Sequence, residues 1–344
     1  MRMRPDRLPR VPWAAVAVFV VVSFGLAWLV ALPLWLMHPD GAGYQALFSA
    51  LASLMMFTPG LAVLVVVFAM KTPSRERMRF LGMWPLRPAR RVVWFIVASL
   101  FAPVLLVIAC AGVAVLCGWL TLDLVHFSAF REMLDAQLTT QGQSPELIPA
   151  SLTGAIVLGQ LLVIPFGALV NSVFAFGEEI GWRGWLLPAL RPLGVWPALL
   201  ASGAIWGLWH APVILLGYNF GRTDAIGVLL MVGGCVMWGV FFGWLRLRSA
   251  SVWPAVVGHG ALNAAGGLVL LIGQAGAPLD MALVNPLGVS GWIVLAAAAV
   301  ILLIARQFGQ EPELAPKRVR SVPPPQAPPA FTGPDPANPA PTEP

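Results

Sequence analysis

Eight apolar runs occupy most of this chain, at about 11–37, 45–70, 92–120, 151–177, 196–217, 225–245, 251–273 and 288–305. Each is about 20 residues or longer, the length a helix needs to cross a hydrocarbon core about 30 Å thick. Backbone in lipid must satisfy its own hydrogen bonds, which leaves helices or closed barrels. Barrel strands would read as shorter, alternating segments, and none is present. Composition closes the case. Only 10% of the 344 residues are charged, against roughly 25% in a soluble domain, so the chain cannot clothe a water-facing surface. The fold class that follows is all-α, a polytopic membrane helical bundle of about eight transmembrane helices. The first run is too long for a signal-peptide core and has no clear cleavage site, so it reads as a retained helix.

The basic residues test that count. Arg2, Arg4, Arg7 and Arg10 precede the first run, and Lys71, Arg75, Arg77, Arg79, Arg87, Arg90 and Arg91 lie between the second and third. Arg183 and Arg191 follow the fourth, Arg246 and Arg248 the sixth, and Arg306, Lys317, Arg318 and Arg320 the eighth. If all eight runs cross, every one of these falls on one side, and only Arg131 and Arg222 fall on the other, with Asp123, Glu132, Asp135 and Glu146. The positive-inside rule predicts a multi-pass protein of the cell membrane with both termini cytoplasmic. The net charge of +6 belongs to these loops and not to a nucleic-acid surface. Cys110, Cys117 and Cys235 sit in apolar runs without CxxC spacing and form neither a disulfide framework nor a zinc site. The loop at 121–150 holds an amphipathic stretch around Phe127–Leu138. Residues 1–309 read as the transmembrane domain, and the proline-dense 310–344 as a disordered cytoplasmic tail.

Ionisable residues are costly in lipid and mark function when they occur there. Of fifteen Asp and Glu, only Glu178 and Glu179 fall at a span, at the cytoplasmic end of the fourth. His210 and His259 lie inside the fifth and seventh, whereas His38 and His126 lie in loops. Glu179 and Arg183 are four apart and share a helix face, where they can pair. Glu178 points about 100° away and is free for another task. Trp206 and His210 share the same spacing, as do His259 and Asn263, so the indole can pack on the imidazole. Three helices then present polar groups to one interior. A carboxylate kept from bulk water is a competent general base, a histidine can orient the same water, and a histidine with an asparagine can hold an oxyanion. The same Glu178, His210 and His259 could instead ligate zinc.

These residues carry a resemblance. The chain resembles the CPBP intramembrane peptidases, which include type II CAAX prenyl endopeptidases and bacterial proteins linked to bacteriocin self-immunity. Their motifs are EExxxR, FxxxH and HxxxN. Here the first is Glu178-Glu179-x-x-x-Arg183 and the third His259-x-x-x-Asn263. The second reads Trp206-x-x-x-His210, with Trp for Phe. The resemblance covers about 150–270, the expected catalytic core. It implies that Glu178 activates water with His210, that His259 and Asn263 stabilise the oxyanion, and that Glu179, Arg183 and Trp206 support the site. It also implies a metal-free glutamate mechanism, with no cofactor and a divalent metal such as zinc as the alternative. The expected partners are a peptide or protein substrate, lipidated or not, and membrane lipid, with CAAX-type or leader-peptide processing as the reaction. The cavity is expected to open to the cytoplasmic side. A non-catalytic scaffold or immunity protein using the same cavity is the alternative function. A proton-coupled transporter is a third, disfavoured because no internal repeat is visible.

Overall fold

The computed structural model describes residues 8–41 and 43–308. The tail expected to be disordered, together with Arg2, Arg4, Arg7, Lys317, Arg318 and Arg320, lies outside the described residues. Within them the chain is all-helical, with one isolated β-bridge between Leu122 and Gly273. Seven helical segments are long and apolar enough to cross a membrane: α1 (Trp13–Leu36), α2 (Tyr44–Ala69), α3 (Ala89–Leu116), α5 (Ala150–Leu193), α7 (Ala225–Ser249), α8 (Trp253–Ile272) and α9 (Met281–Ile304). The amphipathic stretch forms α4 (Ser128–Thr140), in the connection between α3 and α5. The fifth apolar run becomes the shorter α6 (Val195–Trp209). Its 15 residues span about 22 Å, less than a full hydrocarbon core, and the turn Ala211–Ile214 continues it.

Contacts between helix ends sort the connections onto two faces. On one, Trp185 Nε1 donates to the Thr72 carbonyl at 2.8 Å, Trp253 Nε1 to the Met83 carbonyl at 3.2 Å, and the Trp196 and Phe308 rings meet at 4.8 Å. On the other, Trp35 Nε1 donates to Pro212 at 3.0 Å, Phe48 meets Tyr218, and the backbone N–H of Asp123 donates to Ile272. Chain order and contacts thus agree that α6 and its extension run from the first face to the second. The first face carries Lys71, Arg75, Arg77, Arg79, Arg87, Arg90, Arg91, Arg191, Arg248 and Arg306, and we call it the basic face. The second carries Asp40, Asp123, Glu132, Asp135, Glu146, Asp224 and Asp280 with Arg131 and Arg222, and we call it the acidic face.

Two readings of the sequence are corrected here. The fourth run does not end at 177, because α5 continues through a π-helical stretch, Ile180–Leu186, to Leu193. Every residue from 177 to 190 is buried in protein, so this segment need not stop at a lipid boundary. Pro188 is accommodated because the Arg183 carbonyl, five residues back, accepts from Arg246 Nε at 3.1 Å instead of from a backbone N–H. The Glu pair therefore sits well inside a 44-residue helix. Secondly, Arg183 and Arg246 are not loop charges. They are 1% and 6% exposed, and Arg246 Nη2 also donates to the Phe80 carbonyl at 2.9 Å.

Glycines set the distance between α6 and α7. A Cβ on Gly203 would come within 2.7 Å of Val236 Cα, and one on Gly207 would overlap Val232 Cα. This small-xxx-small spacing lets two apolar backbones approach without a hydrophobic drive from lipid. It brings Trp206 and His210, on the same short helix, against the interior.

Candidate active site

The site is built on α5, α6, α7 and α8. Glu178 and Glu179 are adjacent but face different surroundings, as the 100° step between helical neighbours requires. Glu178 Oε2 accepts from Trp206 Nε1 at 2.6 Å and from Trp182 Nε1 at 3.4 Å. Glu179 Oε1 accepts from Arg183 Nη1 at 2.7 Å and lies 2.9 Å from His259 Nδ1. Both carboxylates are almost wholly buried, at 2% and 0% exposure. Two indole N–H groups hold one, and a guanidinium with an imidazole holds the other.

Trp206 is the hub. Its ring meets His259 edge-on at 5.4 Å and lies 5.9 Å from the His210 ring. The Arg183 guanidinium sits 4.2 Å from its centroid, a cation–π contact made more favourable by the absence of water. Phe242 of α7 stacks on His259 at 5.6 Å and closes that side.

The histidine hydrogens follow from their partners. His210 Nδ1 lies 2.9 Å from the Trp206 carbonyl, which can only accept, so Nδ1 carries hydrogen and Nε2 is the free ring nitrogen. His259 Nδ1 faces a carboxylate and is likewise the donor. Cys235 Sγ lies 3.8 Å from His210 Nδ1.

Glu178, Trp206, His210, His259 and Asn263 all line one cavity of about 460 Å³. Glu179 and Arg183 do not line it; they lie behind its wall. Asn263, one turn beyond His259, is an exposed lining residue.

The sequence of this same segment matches a known family. Residues 147–265 match the family model described as type II CAAX prenyl endopeptidase Rce1-like. They form an Rce1-like region. No curated protein matches the chain. The Rce1-like region contains all three motifs and supports an intramembrane protease of the CAAX type in general, in a multi-pass membrane protein.

Within the Rce1-like region, sequence reasoning missed two bonds. The Trp206 ring lies near the imidazole, as its spacing predicts, but its N–H also donates to Glu178. The signal was the departure from the family motif: Phe cannot donate and Trp can. The Glu179–His259 bond spans 80 positions and left no local trace. The cavity extends toward the acidic face. Its lining continues through Asn171, Leu270 and Tyr218 to Asn285 on the acidic face. The basic end is stopped by Trp182 and Trp185, which are 0% exposed, and by the loop carrying Thr72 and Phe80.

The metal alternative needs Glu178, His210 and His259 around one ion. Among the described residues, no group of three or more His, Cys, Asp or Glu side chains is arranged to hold a metal. Glu178, His210 and His259 as placed do not form that ligand set.

Proposed function

We propose that this protein is an intramembrane endopeptidase in which Glu178 activates the attacking water. The observation that carries this reading is the shared cavity: Glu178, His210, His259 and Asn263 line one space, although they come from three helices. Trp206 fixes Glu178 Oε2, leaving Oε1 for water. Glu178 takes a proton from that water while its oxygen attacks the scissile carbonyl carbon. The free Nε2 of His210 orients the water. The carbonyl oxygen becomes an oxyanion, held by Asn263 and by His259 Nε2. Because His259 Nδ1 already donates to Glu179, an Nε2–H donor requires the imidazolium. Glu179 lies between this imidazolium and Arg183, and Glu178 supplies the second negative charge of the cluster. Glu178 then passes its proton to the leaving amine and the C–N bond breaks.

In this reading the protein lies in the cell membrane with both termini cytoplasmic, as the basic face requires. Its substrate is a peptide or protein, lipidated or not, processed in CAAX-type or leader-peptide fashion without a cofactor. The test is turnover of a quenched-fluorescent peptide library by detergent-purified protein. Glu178→Gln is expected to lower the rate by about 1000-fold, within the range for loss of a general base, while eluting as the same folded species. Equal activity in Glu178→Gln would sink the mechanism.

A further inference from the structure

The cavity's lining runs from the motif residues toward one face of the bundle, and that direction bears on which substrates can be cut. On α5 and α8, the lining residues lie to one side of the motif residue. Asn171 precedes Glu178 on α5, which enters from the acidic face. On α8, which leaves toward the acidic face, Leu262, Gly266 and Leu270 follow His259. On α6, Val213 and then Tyr218 follow His210. The far wall is Asn219 and Asn285, in connections of the acidic face, with Asn285 Nδ2 donating to the Asn219 carbonyl at 3.3 Å. No lining residue comes from the connections of the basic face.

The basic end is closed by polar bonds as well as by packing. Arg246 joins α5 to the 72–84 loop through the Arg183 and Phe80 carbonyls. The Val252 N–H donates to the Gly82 carbonyl at 3.0 Å, and Trp185 reaches Thr72. Opening this end would strand a buried guanidinium and several carbonyls, which carries a large desolvation cost. Among the described residues, the bonds that join elements at the opposite end, such as Trp35 Nε1 to the Pro212 carbonyl and Asn285 Nδ2 to the Asn219 carbonyl, involve no fully buried guanidinium.

The basic residues fix which side this is. Ten arginines and lysines named above lie on the closed face, against Arg131 and Arg222 on the acidic one. Those two are bound to local carboxylates, Arg131 to Asp135 and Arg222 to Asp224, each at 2.8 Å. The positive-inside rule places the closed face in the cytoplasm.

We infer that the substrate reaches Glu178 from the non-cytoplasmic side, so the substrate class is a polypeptide presented outside the cytoplasm: an exported peptide or an outward-facing end of a membrane protein. This rests on the peptidase reading for the word substrate, but the direction of access is independent of it. The polar lining of Ser49, Asn171, Asn219 and Asn263 suits an extended backbone, whose N–H and C=O groups need partners away from bulk water.

The experiment is thiol labelling with a membrane-impermeant sulfonated maleimide. It uses full-length protein in which Cys117, exposed on the acidic face, is replaced by Ser. Asn171→Cys reports the cavity, and Arg87→Cys the basic face. Each is labelled in intact expressing cells and in inside-out vesicles. The expected result is that Asn171→Cys labels at least about tenfold faster in intact cells and that Arg87→Cys shows the reverse. Labelling of Asn171→Cys mainly in inside-out vesicles would overturn the inference. So would labelling from neither side while native Cys117, in the parent protein, still reacts. A Glu178→Gln protein that kept full activity would defeat the peptidase reading and leave these labelling rates unchanged, so the two failures are separable.

Discussion

Carboxylates in the bundle centre and carboxylates on the acidic face are held in opposite ways. In the centre, Glu178 is bonded to Trp206, 28 positions away, and Glu179 to His259, 80 positions away. On the acidic face, Asp123 accepts the backbone N–H groups of Val125, His126 and Ser128, all within five positions. Asp224 caps α7 through the Gly227 N–H and pairs with Arg222 two residues before it. The bonds to Trp206 and His259 exist only when the helices are assembled, although each glutamate also has a partner one turn along α5, Trp182 or Arg183. The surface bonds need only a local turn. Function concentrated in long-range bonds depends on the fold as a whole, and single changes there should act at a distance.

The sharpest break in that comparison comes from the neighbouring pair. Glu178→Gln keeps the size of the side chain and an oxygen able to accept the Trp206 N–H, so the fold should persist while turnover falls about 1000-fold. Glu179→Ala should do something else. It removes the common partner of Arg183 and His259 and leaves a guanidinium buried at 1% exposure. Breaking a buried ion pair by removing one partner costs about 3–5 kcal/mol. Thermal unfolding in detergent should show a clearly lowered midpoint for Glu179→Ala and almost none for Glu178→Gln. Equal midpoints would mean that the cluster behind the cavity is not structural.

Trp206→Phe comes next in size. It restores the residue of the family motif and removes one N–H while keeping a ring near His210, His259 and Arg183. If the bond to Glu178 Oε2 positions the base, kcat should fall about tenfold, the loss of one hydrogen bond to a charged group, with KM little changed. A rise in KM alone would show that the indole serves binding and not the base.

What the sequence made legible follows the same division. The apolar runs marked the helices, since length and hydropathy act locally. The Glu179–Arg183 pair was readable because four positions make one helical turn. The histidines stood out because lipid cannot host them. The Trp206–Glu178 and Glu179–His259 bonds were not readable, because they join helices whose order in the bundle no local pattern specifies. The continuation of α5 past 177 was hidden too, since Arg183 reads as a boundary charge until its partners are known. The run of the cavity lining toward the acidic face was equally hidden, since the basic end is packed by long-range contacts such as Arg246 reaching Phe80 across 166 positions.

The smallest expected effect is at Asp123, and its sign can be worked out. The Ser128 hydroxyl and the His126 N–H hold this carboxylate well below its ordinary value of 3.8. A group whose folded value is depressed adds stability at pH above the unfolded value and loses it as pH falls through the folded one. The turn from Asp123 to Ser128 should therefore be unaffected between neutral pH and about pH 4, and loosen only in stronger acid. Amide hydrogen exchange at Val125 and His126, whose N–H groups donate to Asp123, should accelerate there relative to the intrinsic rate. Asp123→Asn should remove that acid dependence, since an amide does not titrate, while leaving turnover of the peptide library within about twofold of the parent. A large loss of turnover in Asp123→Asn would join the loop to the catalytic centre and erase the contrast between locally held and fold-held carboxylates.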